Sequence, residues 1–453
     1  MLKERCISYE LPCSVKTVLL ELRKAGYEAY VVGGAVRDIL LSISPSDYDV
    51  TTSAVPEEVI KVFGEKNCHA TGIAHGTVTV VVGHEPIEVT TFRVDGEYKD
   101  GRHPDQVRFS RSLEEDVLRR DFTFNALALD ENGVVRDYCD GISDLEKGLV
   151  RAIGDPKKRF EEDALRILRA IRFAAQHSFT IEEDTAKEIH LLKESLKLLS
   201  AERIWQEFQK FMLGDADAVR DLLFEYADVF AVIVPEIEPM FGFEQKNPHH
   251  IYDVWTHTIV SVQHTSPDLI LRMTMLLHDI GKPHSFTMDE NGVGHFKGHQ
   301  KISAEMSDAI LKRLKVDTST REKIILLVKN HDNPLLPSKK IARRRLAQYG
   351  EEMLRKLLAV KRADMSAHSK ESAYRFEELS QFEVLLDQVL EEKLCYSYAM
   401  LDIDGHELIQ AGIPQGVIIG DIKKRLLDEV IEEVLPNERK ALVQRALEMY
   451  RGM

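Results

Sequence analysis

Long apolar runs, paired cysteines and an excess of positive charge are all missing from this chain of 453 residues. No run approaches the roughly 18 apolar residues that a membrane-spanning helix needs. The opening MLKERCISYELP has no apolar core of the kind a secretory signal carries. The 5 cysteines (Cys6, Cys13, Cys68, Cys139, Cys395) are odd in number and scattered, with no Cys-x-x-Cys spacing. A disulfide framework and a cysteine-built zinc site are therefore excluded, and reduced thiols in the cytoplasm are expected. The net charge of −15 argues against a protein that coats nucleic acid indiscriminately, while leaving room for a local basic track. There is no internal repeat, no low-complexity stretch, no call for a membrane, and no protein partner that the sequence lets one infer.

What is present is a globular composition, 44% hydrophobic and 30% charged, over a length that suits two to four domains. The pattern divides near residue 150. Before it, apolar strands are expected at 29–32, 47–52, 77–82 and 86–92, with helices at 14–25, 35–41 and 55–63, giving a small α/β unit with a mixed sheet. Ser14 is placed to cap the first helix and Gly26 to end it. Residues 93–111 lack periodicity and suggest a mobile loop, a helix begins near 112, and 133–153 suggests a hairpin. From Asp155 on, 3.6-residue periodicity dominates. The last segment, from about 398, reads as a Gly/Pro loop followed by a helix.

The chemistry begins at Tyr30–Thr52, YVVGGAVRDILLSISPSDYDVTT. Gly33 and Gly34 let the backbone approach a ligand, and a helix after them aims free N–H groups at it. Asp47 and Asp49, two apart on the expected strand, face the same side. Two carboxylates beside an anion-binding turn are what a Mg²⁺–triphosphate complex needs. Each piece alone has a plainer reading, a turn for the glycines and a cap or solvated strand end for the acids. Downstream, Arg120 offers donors for a phosphate, and Asp121 and Asn125 suit a ribose. Asp163 and Arg166, three apart on an expected helix with Arg169 and Arg172 beyond, pair an acceptor with a five-donor guanidinium that together suit a base edge. An exposed face with internal ion pairs is the plainer alternative. Within 151–172 there are seven Lys/Arg against four Asp/Glu, and 335–347 contains five basic residues and no acid. A solvated face is the usual meaning of such a run, and phosphate contact the other.

Gly33-Gly34-x-x-Arg37-Asp38, Asp47-x-Asp49, Arg119-Arg120-Asp121 and Glu162-Asp163-x-x-Arg166 follow one another in an order and spacing that resembles the class II tRNA nucleotidyltransferase and poly(A) polymerase family. Asp137-x-x-Asp140-Gly141, Glu202-Arg203-Ile204 and Asp404-Gly405-x-Glu407 extend the resemblance over most of the chain. It implies an α+β nucleotidyltransferase head at 1–150 and a helical neck at 151–230, then an HD-type body at 231–394 and a tRNA-binding tail at 395–453. It implies that Asp47 and Asp49 hold Mg²⁺, that Gly33, Gly34, Arg37 and Arg120 contact triphosphate and sugar, and that Asp121 and Asn125 complete the nucleotide site. Asp163 and Arg166 would select C and then A, with Arg169 and Arg172 lining the same cleft. Glu88 is a candidate third acid. The partners implied are tRNA, CTP and ATP. The Glu97–Pro104 loop, with Arg102 and His103, resembles the flexible segment of members that add the terminal A. That favours full CCA addition over addition of A alone or of a poly(A) tail. A binding protein with a degenerate head is the non-enzymatic alternative, and two retained carboxylates count against it.

A second series, His257, His278-Asp279, His299, His331 and Asp364, resembles the HD metal-dependent phosphohydrolases. By that resemblance His257, His278, Asp279 and Asp364 ligate one metal, His299 and His331 support a second, and Lys282 binds a phosphate oxygen. Mixed imidazole and carboxylate ligands suit a divalent transition metal or Mg²⁺ without choosing among them.

Overall fold

The computed structural model describes residues 2–73, 76–95, 107–369 and 374–452. They form two units, Met1–Pro235 and Glu236–Met453. The first is organised on an eight-stranded mixed sheet. Its strands are β1 (Lys3–Cys6), β2 (Ala29–Val32), β3 (Asp49–Thr52), β4 (Cys68–Gly72), β5 (Thr77–Val82) and β6 (Glu85–Thr91). A short antiparallel pair, β7 (Arg93–Asp95) and β8 (Val107–Phe109), stands apart, and β9 (Ala128–Leu129) and β10 (Val134–Asp137) complete the sheet. The order is β1-β10-β9-β2-β3-β6-β5-β4, and β3 and β6 run parallel.

Alternation along β2 explains why the sheet is buried on both faces. Ala29 and Val31 join a core with Val50, Val78 and Val89 that the helix Cys13–Lys24 covers through Val15, Val18, Leu19 and Leu22. Tyr30 and Val32 face the other way, onto Phe92, Val117 and Ala128. Each such buried aliphatic side chain contributes roughly 1.5–3 kcal/mol. Beyond the sheet, the helix Leu165–His177 packs on Ala201–Met212, and Phe173 meets Phe122 and Phe124 edge-on at centroid distances of 5.8 and 5.4 Å.

The second unit is helical. Val254–Gln263, Leu269–Leu277, His299–Arg313, Thr318–Asn330 and Lys339–Ser366 surround the histidines, and Gly350, at φ +72°, breaks the last of these. The helices Gly405–Gln410, Val417–Ile431 and Arg439–Arg451 enclose a separate core around Leu408, Ile422, Leu426 and Leu442.

Several local expectations fail for physical reasons. Strand β3 starts at Asp49, so Asp47 lies in the approach to it. Ser14 is buried inside the first helix and donates to Glu85 instead of capping. The ends of 93–111 pair as β7 and β8; the residues between them lie outside those described. The supposed hairpin at 133–153 is interrupted, because Asp140 turns left-handed (φ 63°) into the helix Gly141–Glu146, and Leu149–Val150 pairs with Thr180–Ile181. The tail holds three helices. Strands β1 and β4 were not anticipated, since Lys3–Cys6 has no buried residue and Cys68–Gly72 no apolar alternation.

One contact ties this scaffold to the chemistry. A Cβ on Gly141 would sit 2.2 Å from the Thr123 carbonyl oxygen, and Thr123 donates to Asp144 at 2.7 Å. The turn that carries Asn125 therefore rests on a bare backbone. Gly141→Ala is expected to cost about 1–3 kcal/mol by overpacking, read as a lowered thermal midpoint; an unchanged midpoint would show that the turn yields.

Candidate active site and a second candidate metal centre

In the first unit Gly33, Gly34, Arg37, Asp47, Asp49, Arg120, Asp121, Asn125, Asp163, Arg166, Arg169 and Arg172 all line one cavity of about 520 Å³. Gly33 turns at φ +72°, a conformation that favours glycine. The helix after it, Gly34–Leu40, has only seven residues. The attraction for an anion therefore resides mainly in the guanidiniums. Asp47 and Asp49 enter from the loop before β3 and from its first residue. Val50 registers with Val89 across the parallel β3–β6 pair, so Glu88 lies beside Asp49 and borders an adjoining cavity with it. Asp49 keeps an exposed face, and partial desolvation, then the like charges of Asp47 and Glu88, raise its pKa against the pull of Arg120. Such a cluster of acids calls for a cation.

The arginines are held by carboxylates, several of them buried. Asp116, fully buried, receives Arg119 at 2.8 Å and Arg120 at 3.2 Å. Asp121 takes Arg169 through two contacts, 2.8 and 2.5 Å, and Glu207 takes Arg172 at 2.5 Å. Asn125 donates to Asp121 and accepts from Arg37, both at 3.2 Å. Asp121 and Asn125 thus form part of the wall, already bonded to it. The Phe173 ring lies under the guanidiniums of Arg172, Arg37 and Arg169, at 3.8, 5.2 and 5.3 Å.

Asp163 and Arg166 do not share one helix. Pro156–Glu162 ends at Asp163, which is extended (φ −147°, ψ 104°), and the next helix begins at Leu165. Arg166 donates to Glu162 at 2.6 Å and to the Arg159 carbonyl at 3.0 Å, while Asp163 accepts from Arg203 at 2.9 Å. Asp116, Arg203 and Glu207 were missed as site residues. Asp116 was legible as i, i+3 and i, i+4 to the two arginines; Glu207 carries no local signal. The basic run near 340 contributes elsewhere. Arg343 is buried on the carbonyls of Cys395 and Val430, and Lys339 and Arg344 pair with Glu392 and Glu432. Arg102 and His103 lie outside the described residues.

In the second unit His257, His278, Asp279, His299, His331 and Asp364 converge. Their helices bring them there from different directions, with His278, His299 and His331 at helix ends. His278, His299 and His331 direct Nδ1 to the carbonyls of Met275, Phe296 and Val328 at 2.6, 2.8 and 2.7 Å. A carbonyl only accepts, so those Nδ1 atoms carry protons and the Nε2 lone pairs point inward in the neutral rings. The Nε2 atoms of His299 and His331 are 3.1 Å apart, those of His257 and His278 3.4 Å. Asp279 lies between the pairs: one oxygen is 3.1 Å from His278, the other 3.3 Å from His299. Neither buried oxygen accepts a well-aligned hydrogen bond. Facing lone pairs around a carboxylate whose close cation, Lys282, makes no aligned hydrogen bond to it fit a metal ion. Asp364 adds an oxygen 2.9 Å from His257. Burial opposes it, yet Asp279 and Asp364 raise the His278 pKa to about 10, so a metal ion there would displace the Nε2 proton; burial and the nearby His278 push His331 down to about 4. Lys282 is not free for phosphate alone, since it pairs with Asp279 at 2.7 Å and donates to Gln245 at 2.8 Å. His250 and His368 border the same cleft and were not singled out, although His368 stands four residues after Asp364.

Residues 29–151 match the poly A polymerase head domain, 178–241 the probable RNA and SrmB-binding site of polymerase A, and 250–383 the HD domain. A CCA-adding enzyme from Levilactobacillus brevis is 34% identical over 94% of this chain and 96% of its own. One from Lactobacillus helveticus is 52% identical over 44% of this chain, and the match spans about half, 49%, of that relative's length. A crystal structure of the Bacillus stearothermophilus CCA-adding enzyme in complex with CTP superimposes with a TM-score of 0.71 at 25% identity, covering 97% of each chain.

Asp121 generates a pH signature. Burial opposes its charge, but the Arg169 guanidinium holds its pKa at about 2 rather than the ordinary 3.8. A depressed folded value contributes stability that is complete above the unfolded pKa and lost as pH falls through the folded one, here about 2 kcal/mol. The unfolding free energy of wild type minus that of Asp121→Asn is expected to shrink by that amount between about pH 5 and pH 2; parallel curves would contradict it.

Proposed function

This chain belongs to the CCA-adding enzyme family, and from that membership we propose that it adds the 3′-terminal CCA of tRNA from CTP and ATP without a nucleic-acid template. One observation carries the reading: Asp47 and Asp49 share a cavity with Arg37, Arg120, Arg166, Arg169 and Arg172. The carboxylates would hold Mg²⁺, which when bound neutralises triphosphate charge and makes the tRNA 3′-hydroxyl a better nucleophile. Glu88 is the candidate third acid. The 3′ oxygen bonds to the α-phosphorus, the bond to the β-phosphate oxygen breaks, and pyrophosphate leaves. Arg37 and Arg120 supply donors to the triphosphate, held in place by Asn125 and Asp116. Gly33 and Gly34 leave room for it. Asp163 and Arg166 read the base, an acceptor and a donor against the amino group and ring nitrogen that C and A have in common. Head, neck, body and tail would divide at 1–150, 151–230, 231–394 and 395–453, with the protein in the cytoplasm.

The test is a sizing experiment on tRNA lacking CCA, given CTP and ATP. Three added residues are expected, with Asp47→Ala and Asp49→Ala reducing addition by at least about a thousandfold. A single A added only after CC, or a long tail, would identify the A-adding or poly(A) alternative. Undiminished addition by either variant would refute the catalytic assignment.

The convergent Nε2 atoms favour a second activity, hydrolysis of a phosphomonoester or 2′,3′-cyclic phosphate at the HD centre. His257, His278, Asp279 and Asp364 would hold one divalent ion, with Asp279, His299 and His331 available to a second; Mn²⁺, Fe²⁺, Ni²⁺, Mg²⁺ and Zn²⁺ all suit the donors. Metal analysis of purified protein is expected to show bound ion that His278→Ala and Asp279→Ala lose, together with any phosphatase activity. Equal metal content in variants and wild type would overturn this reading.

A further inference from the structure

The base-reading assignment leaves open what aims Asp163. It lies at the joint between two helices, with extended backbone, so its side chain is not fixed by a helical neighbour row. Its clamps are visible. The Leu165 amide donates to Oδ1 at 3.0 Å, and Arg203 Nη2 lies 3.2 Å from Oδ1 and 2.9 Å from Oδ2. Oδ1 therefore has two donors and Oδ2 only one, which leaves Oδ2 the freer acceptor. Arg203 itself lines the nucleotide cavity, and its Nη1 is a buried donor with no hydrogen-bond partner.

We propose that Arg203 is a positioning residue for nucleotide selection, fixing the Asp163 carboxylate so that Oδ2 accepts from the amino group of cytosine or adenine. The inference rests on Asp163 and Arg166 being the base-reading pair. Cytosine and adenine each place an amino donor next to a ring-nitrogen acceptor; uracil and guanine place a carbonyl acceptor next to a ring N–H. A fixed acceptor beside a fixed guanidinium donor matches the first pattern and opposes the second at both positions. A carboxylate free to swing loses the registry between its oxygen and Arg166, and with it the penalty against the wrong bases. Binding of the triphosphate by Arg37 and Arg120 would be untouched.

The experiment compares wild type, Arg203→Ala and Arg203→Lys, measuring kcat/KM for CTP against UTP and for ATP against GTP, on tRNA ending at the appropriate position. Loss of structure slows right and wrong nucleotides alike, so the ratio isolates positioning. Arg203→Ala is expected to lower both discrimination ratios by about tenfold or more, chiefly through a rise in wrong-base incorporation. Arg203→Lys, with charge and reach but no planar fork, should fall between. Unchanged ratios in either variant overturn the proposal, and the lysine variant decides it should the alanine variant fail to fold. Asp163→Ala run alongside separates the two claims. If it alters discrimination while the Arg203 variants do not, only the role of Arg203 fails; if it too leaves the ratios unchanged, the base-reading assignment fails with it.

Discussion

A cavity with many guanidiniums is unstable unless each is anchored, and that constraint organises the first unit. Like charges a few ångströms apart repel by an amount that grows as water is excluded. Asp116, Asp121, Asp163, Glu162 and Glu207 meet it one by one, through contacts of 2.5–3.2 Å. An acidic chain thereby keeps a strongly cationic interior surface. The anchors come from separate segments, so the cavity exists only when the ends of the central strands β2 and β3, the Thr123–Asn125 turn and the helices beyond Asp155 are assembled. Phe173 supplies the apolar floor for three of the arginines.

The second unit solves the opposite problem. Three of its histidines direct Nδ1 to backbone carbonyls, so that in the neutral rings the Nε2 lone pairs face the centre. Asp279 lies between the two pairs of imidazoles and has no aligned donor of its own. The first site gathers guanidinium donors around its two carboxylates, and the second gathers imidazoles around Asp279.

Much of this was legible in the sequence because the residues concerned are close together. The Gly33–Gly34 turn, the β-branched strands and the mixed sheet follow from local pattern, and the spacing of acids and arginines named the family. The failures are tertiary. Asp163 and Arg166 look helical together, but the Asp163 side chain finds the Leu165 amide and ends one helix before the next starts. Glu207 meets Arg172 from 35 residues away. The basic run at 339–345 looked open to phosphate, yet Arg343 is consumed by backbone carbonyls that only folding presents. Charge counting along a chain has no access to such partners.

The break at Asp163 also sets a rule of length. Within a continuous helix, one inserted residue turns everything after it by about 100°. Here the acceptor stands outside the helix that carries Arg166, Arg169 and Arg172. One residue added at the joint would lengthen the link and shift Asp163 relative to that row, which its own buried face holds in place. The interval from Asp163 to Arg166 is therefore a measured distance more than a helical repeat, and insertion or deletion within it separates the acceptor from the donor.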